Sequence, residues 1–76
     1  MPGRQQQAQA ALERLTDRER EVVIAVGQGK TNTEIADDIY ISSATAKAHA
    51  SKLVTKLQVN NRTQIALLAH DAYPDR

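Results

Sequence analysis

Residues 31–56, TNTEIADDIYISSATAKAHASKLVTK, constrain this chain more than any other stretch. They read as two short helices joined by a tight turn. Asn32 is a good N-cap for the first, with Glu34, Asp37 and Asp38 after it. Ile35, Ala36 and Ile39 form its inner face, and Ile41 packs into the turn. Ser42 or Ser43 caps the second helix, which runs to about Leu57. Its Ala46, Ala50, Leu53 and Leu57 make one apolar stripe. At about 100° per residue, Ala44, Lys47, Ala48, Ser51 and Thr55 fall on the opposite side. Thr45, Lys52 and Lys56 lie along one flank of that face.

Charge is distributed unevenly along the chain. Between Ile39 and His70 there is no Asp or Glu, while Lys47, Lys52, Lys56 and Arg62 all lie there. Acids collect earlier, at Glu13, Asp17, Glu19, Glu21, Glu34, Asp37 and Asp38. The formal net charge is only +1, so placement matters and the total does not. A basic, acid-free helix attracts a phosphate backbone, or else an acidic ligand. The helix pair makes nucleic acid the better partner. A small polar surface around Lys47 suits close approach to a groove.

With 76 residues the chain is one domain, and it has no cysteine for a disulfide or thiolate metal site. His49 and His70 are too far apart for a short metal-ligand pair, so no metal and no cofactor is expected. No apolar run approaches the roughly 18 residues of a membrane span, and the start lacks a signal-peptide pattern. The expectation is a cytoplasmic protein with no membrane contact. No strand signal stands out: Phe and Trp are absent and no long alternation of apolar residues exists.

The polar, Gln-rich start reads as a linker or disordered segment over residues 1–10. The folded domain is expected over 11–73, with a tail at 74–76. Thr16-Asp17-Arg18-Glu19 has the form of a capping box, with Leu15 placed as a staple. Val22, Val23 and Val26 follow as an apolar face. Gly27 and Gly29 end that helix, Gly29 being the better C′ residue. Asn60 or Asn61 caps a last helix carrying Ile65, Leu67, Leu68, Ala69 and Ala72, and Tyr73-Pro74 stops it. This helix is apolar on more than one side. If the domain body covers Ile65, Leu68 and Ala72, then Leu67, with Ala66 and His70 beside it, is left for a second copy.

LTDREREVV, GQGKTNTEIADDIYIS, ATAKAHASKLVTKL and NNRTQIALLA, in this order and spacing, resemble the LuxR/NarL/GerE-type helix-turn-helix domain. The likeness covers about Leu15 to Asp71. It implies an all-α, four-helix fold with a recognition helix at about 43–57 and a C-terminal dimerisation helix at about 61–72. It further implies a homodimer that binds a pseudo-palindromic site on double-stranded DNA through the major groove to regulate transcription. The response-regulator branch of two-component systems is the most similar. An upstream receiver or ligand-binding domain and RNA polymerase are the further partners implied. Carried over by position, Lys47, Ala48 and Ser51 match base-edge contacts. Thr45 and Lys52 match phosphate contacts, and so do Thr31, Asn32 and Thr33 at the helix start. Lys56 is a further phosphate candidate. The sequence departs from the pattern at Ala46 and Ala50, where Val is usual, at Gln58, where Gly is common, and at Lys30, which replaces Leu.

An enzyme is not expected. Ser42 and Ser43 are caps with no nucleophile elbow around them, and GQGK lacks the spacing of a phosphate-cradling loop. The competing class is a protein-interaction module docking on a polymerase or on a receiver domain. The acid-free second helix of the pair favours DNA.

Overall fold

How each helix stops and how the next is capped sets every connection in this fold. The computed structural model describes residues 3–74; Met1 and Pro2 of the expected linker, and Asp75 and Arg76 of the expected tail, lie outside them. The helices are α1 (Arg4–Glu13), α2 (Asp17–Gly27), α3 (Asn32–Ile39), α4 (Ser43–Lys56) and α5 (Arg62–Ala72). Helix α4 begins and ends within a residue of the recognition helix read from the pattern, and α5 does the same for the last helix.

The starts are reciprocal where the sequence allows it. Thr16 Oγ1 accepts from the Glu19 N–H at 3.1 Å, and Glu19 Oε1 accepts from the Thr16 N–H at 2.9 Å. Thr31 and Glu34 repeat this at α3, at 3.2 and 2.8 Å. The N-cap of α3 is therefore Thr31, one residue before the Asn32 expected. A threonine with glutamate three residues on satisfies two backbone donors at once, which asparagine at 32 could not. Ser42 caps α4 and Asn61 caps α5.

The stops of α2, α3 and α4 rest on left-handed residues. Gly29 has φ +81°, and the Lys30 N–H reaches back to the Ala25 carbonyl at 3.2 Å, closing α2. At the end of α4 the same geometry falls on Gln58, with φ +57° and the Val59 N–H on the Val54 carbonyl at 3.1 Å. Tyr40 ends α3 with φ +59°.

Helix α2 lies at the centre, packed on α4 and α5, while α3 packs on α4. Leu12, Leu15, Val22, Val23, Val26, Ile35, Ala46, Leu53 and Ile65 are the buried heart. Gly27 permits close approach: a Cβ there would stand 2.7 Å from Ala69 Cβ of α5.

The N-terminal segment differs from expectation. Residues 4–10, read as linker, belong to a helix, so five helices stand where four were expected. Ala8 and Leu12 are buried against α5, and Gln9 Nε2 donates to the Ala72 carbonyl at 3.0 Å. Ala8, Ala11, Leu12 and Leu15 in fact follow helical i, i+3, i+4, i+7 spacing, on a background of good helix formers. The stripe is narrow and lies among glutamines, which masked it.

Candidate nucleic-acid interface

Helix α4 sorts its side chains cleanly. Ala46, Ala50 and Leu53 are buried and Leu57 is half-buried. Thr45, Lys47, Ala48, Ser51, Lys52 and Lys56 are all exposed on the other faces. Thr45, Ala48, His49 and Lys52 line a shallow depression on the helix surface. His49 is half-buried, a boundary residue. The buried face of α4 is thus small in its first half, at Ala46 and Ala50, and large in its second, at Leu53.

The helix-turn-helix brings the starts of α3 and α4 side by side. Thr33 Oγ1 lies 3.4 Å from Ser43 Oγ, so the two N-termini open on one surface. Thr31 and Thr33 are exposed there and Asn32 is half-exposed. Thr31 Oγ1 accepts from Glu34, which leaves its hydroxyl hydrogen free to donate. On α4, Ser42 Oγ accepts from the Thr45 N–H at 3.1 Å and lies 2.8 Å from Thr45 Oγ1. The positive ends of two helix dipoles thus lie side by side.

Lys47 and Lys52 have no ion-pair partner among the described residues. Lys56 does: its Nζ donates to both carboxylate oxygens of Glu19, at 2.8 and 3.1 Å. That pair ties the end of α4 to the start of α2. The Lys56 ammonium, then the Thr16 N–H, hold the Glu19 carboxyl down from its ordinary 4.5 to about 2. Of the cations expected to meet phosphate, Lys56 is the one already compensated within the domain.

Arg62 stands in the acid-free stretch of the sequence with Lys47, Lys52 and Lys56. Its place is different. Nη2 donates to the Lys30 carbonyl at 2.6 Å, and Nη1 donates to Asn32 Oδ1, in a half-buried setting. A signal existed: Arg62 is the first residue of α5, where a cation opposes the helix dipole and needs a compensating partner. Lys30, in the position usually held by Leu, pairs with Asp38.

On α5, Ile65, Ala69 and Ala72 face inward, Leu68 is half-buried, and Leu67 is 57% exposed. His70 is exposed and Ala66 half-buried beside it. No group of side chains among the described residues could hold a metal ion, and none of their helices is long and apolar enough to cross a membrane.

Residues 13–69 match the family described as bacterial regulatory proteins, luxR family. The chain belongs to the luxR family. It is 43% identical over 58 residues to the transcriptional regulatory protein LiaR of Bacillus subtilis (strain 168), a match covering 76% of this chain and 28% of LiaR. With the transcriptional regulatory protein LnrK of the same organism it shares 47% over 53 residues, 70% of this chain and 24% of LnrK. The response regulator protein VraR of Staphylococcus saprophyticus is 38% identical over 69 residues, 91% of this chain and 33% of VraR. The chain thus spans about a quarter to a third of the length of these curated relatives. It is a luxR-type helix-turn-helix domain, in the DNA-binding, transcription-regulating class. In luxR terms α3 and α4 are the two helices of the motif, and α1 lies almost wholly before the matched residues.

Proposed function

We propose that this domain binds double-stranded DNA sequence-specifically as a symmetric homodimer, and that it is the output part of a longer response regulator. The observation that carries this reading is the division of α4: its apolar stripe is buried, while Thr45, Lys47, Ala48, Ser51 and Lys52 are exposed on a helix without an acid. That helix enters the major groove. Lys47, Ala48 and Ser51 meet base edges; Thr45, Lys52, Thr31, Asn32 and Thr33 meet phosphates. Leu67, with Ala66 and His70, forms the two-fold contact. VraR is by name a response regulator, and the chain's small share of its length is consistent with a receiver domain elsewhere in such a protein. RNA polymerase is the further partner in that reading.

Selection of duplexes from a random pool tests it. The domain should enrich a two-fold-related sequence, with half-sites about one helical turn apart. Affinity for the enriched duplex should fall steeply between low and moderate salt, because each neutralised phosphate releases counterions. Failure to enrich any sequence, with binding indifferent to salt, would sink the reading in favour of a protein-docking module.

A further inference from the structure

Arg62 is spent inside the domain, and what it holds is a residue of the proposed phosphate surface. Asn32 opens α3 and stands between Thr31 and Thr33. A phosphate oxygen only accepts hydrogen bonds. An asparagine amide can serve it only through its NH2 end; the carbonyl end would be repelled. Which end faces outward is therefore decisive, and an amide left to itself can present either. A guanidinium has donors and no acceptor. Set beside Asn32, it can meet only Oδ1, and Nη1 of Arg62 does so. The second arm of the fork, Nη2, holds the Lys30 carbonyl at 2.6 Å, two residues before Asn32. One planar group thus pins both the loop entering α3 and the amide at its first position. Lysine, a point donor, could not span both acceptors in this way.

We propose that Arg62 is a positioning residue for DNA binding: it orients the Asn32 amide so that the NH2 end is presented to a phosphate. The inference rests on the phosphate surface proposed above. It also accounts for a cation at the first position of α5, where the helix dipole disfavours it.

The test uses the duplex enriched by the unaltered domain, with affinity and its salt dependence measured by fluorescence anisotropy. Arg62→Met should weaken binding roughly tenfold per half-site, the scale of one lost hydrogen bond to a charged group. The salt slope should stay unchanged, since an amide contact releases no counterion. Were Arg62 itself a phosphate ligand, the slope would fall by about one unit per half-site, and that result overturns the inference. Asn32→Ala should weaken binding to a similar degree, and adding it to Arg62→Met should cost nothing more. Additive losses overturn the inference, because they mean that the two residues act separately. Circular dichroism checks that each variant is folded. If Arg62→Met does not fold, Arg62→Lys carries the same cycle, with a partial loss that Asn32→Ala again does not deepen. If Asn32→Ala and Thr33→Val bind like the unaltered domain, the phosphate surface itself is wrong, and this inference falls with it.

Discussion

Lys47 stands among short neighbours. Ala44, Ala48 and Ser51 surround it on α4, all exposed and none long enough to screen it from a groove. Lys47→Ala should cost about 1–3 kcal/mol per half-site, felt twice in a symmetric pair. The circular dichroism spectrum should not change, because the side chain is exposed and unpaired. Lys52 sits on the flank, where a phosphate contact carries no base information. Lys52→Ala should weaken enriched and random duplexes by a similar factor, with the salt slope falling by about one unit per lost contact, one in each half-site. A loss confined to the enriched duplex would move Lys52 into the base-reading set. Glu19 makes a prediction of a different kind. Its folded-state pKa is depressed from 4.5 to about 2, first by the Lys56 ammonium and then by the Thr16 N–H. A depressed carboxyl contributes stability that is fully present above the unfolded value and disappears as pH falls through the folded one. The melting temperature should therefore drop between pH 4.5 and about 2. Glu19→Gln should melt lower at neutral pH and respond less to acid over that window, as thermal scans at several pH values would show. The effect will be small, since Lys56 is 43% exposed and solvent screens the pair.

At the scale of helices, the three chain reversals after α2, α3 and α4 use one backbone geometry with three different residues. Gly29 adopts the left-handed conformation at no steric cost; Tyr40 and Gln58 do not. Gln58 is exposed and its side chain is not needed for the closing hydrogen bonds, which are made by backbone atoms of residues 54, 55, 58 and 59. Gln58→Gly should stabilise the domain by about 0.5–1 kcal/mol, the relief of strain less the added freedom of the unfolded chain. For a domain of this size that is a rise in melting temperature of roughly 2–8 °C. A decrease would mean that the Gln58 side chain contributes something its exposure does not reveal. The departure from a common Gly at this position is thus a local cost and leaves the course of the chain intact.

For the whole molecule, the informative surface is the one α5 leaves open. The residues of α5 were expected to be shared between the body and a second copy. Helix α1 takes part of that surface, through Ala8 and Leu12. What stays exposed is Leu67 with His70, and Ala66 at its edge. So small a patch falls below the roughly 1,000 Å² of a stable complex, and the free domain should be a monomer or a weak dimer that pairs on DNA. Leu67→Glu should abolish cooperative binding to the enriched duplex while leaving the monomer folded. Sedimentation with and without DNA, together with a thermal melt, checks this. Unfolding of the variant would place Leu67 in the core, and unchanged cooperativity would move the dimer contact off α5.

The sequence alone determined the helix-turn-helix, because local chemistry writes it: a stripe at 46, 50, 53 and 57, caps at Thr16 and at Ser42 or Ser43, and a glycine at 29. It also determined that α4 carries an acid-free outer face, since burying one stripe dictates what lies opposite. The capping box of α3, Thr31 with Glu34, was legible too, although the sequence reading offers only a plain cap at Asn32. Tertiary structure alone decided the rest. Whether residues 4–13 form a helix depended on α5 being there to cover Ala8 and Leu12, and a narrow stripe does not order a chain by itself. Which lysine is free depended on distance in space: Lys56 meets Glu19, 37 residues away. Arg62 looked like one more surface cation until the fold set it 2.6 Å from a loop carbonyl. A charge's type and its helix face are local properties, but its partner is chosen by packing between segments remote in sequence.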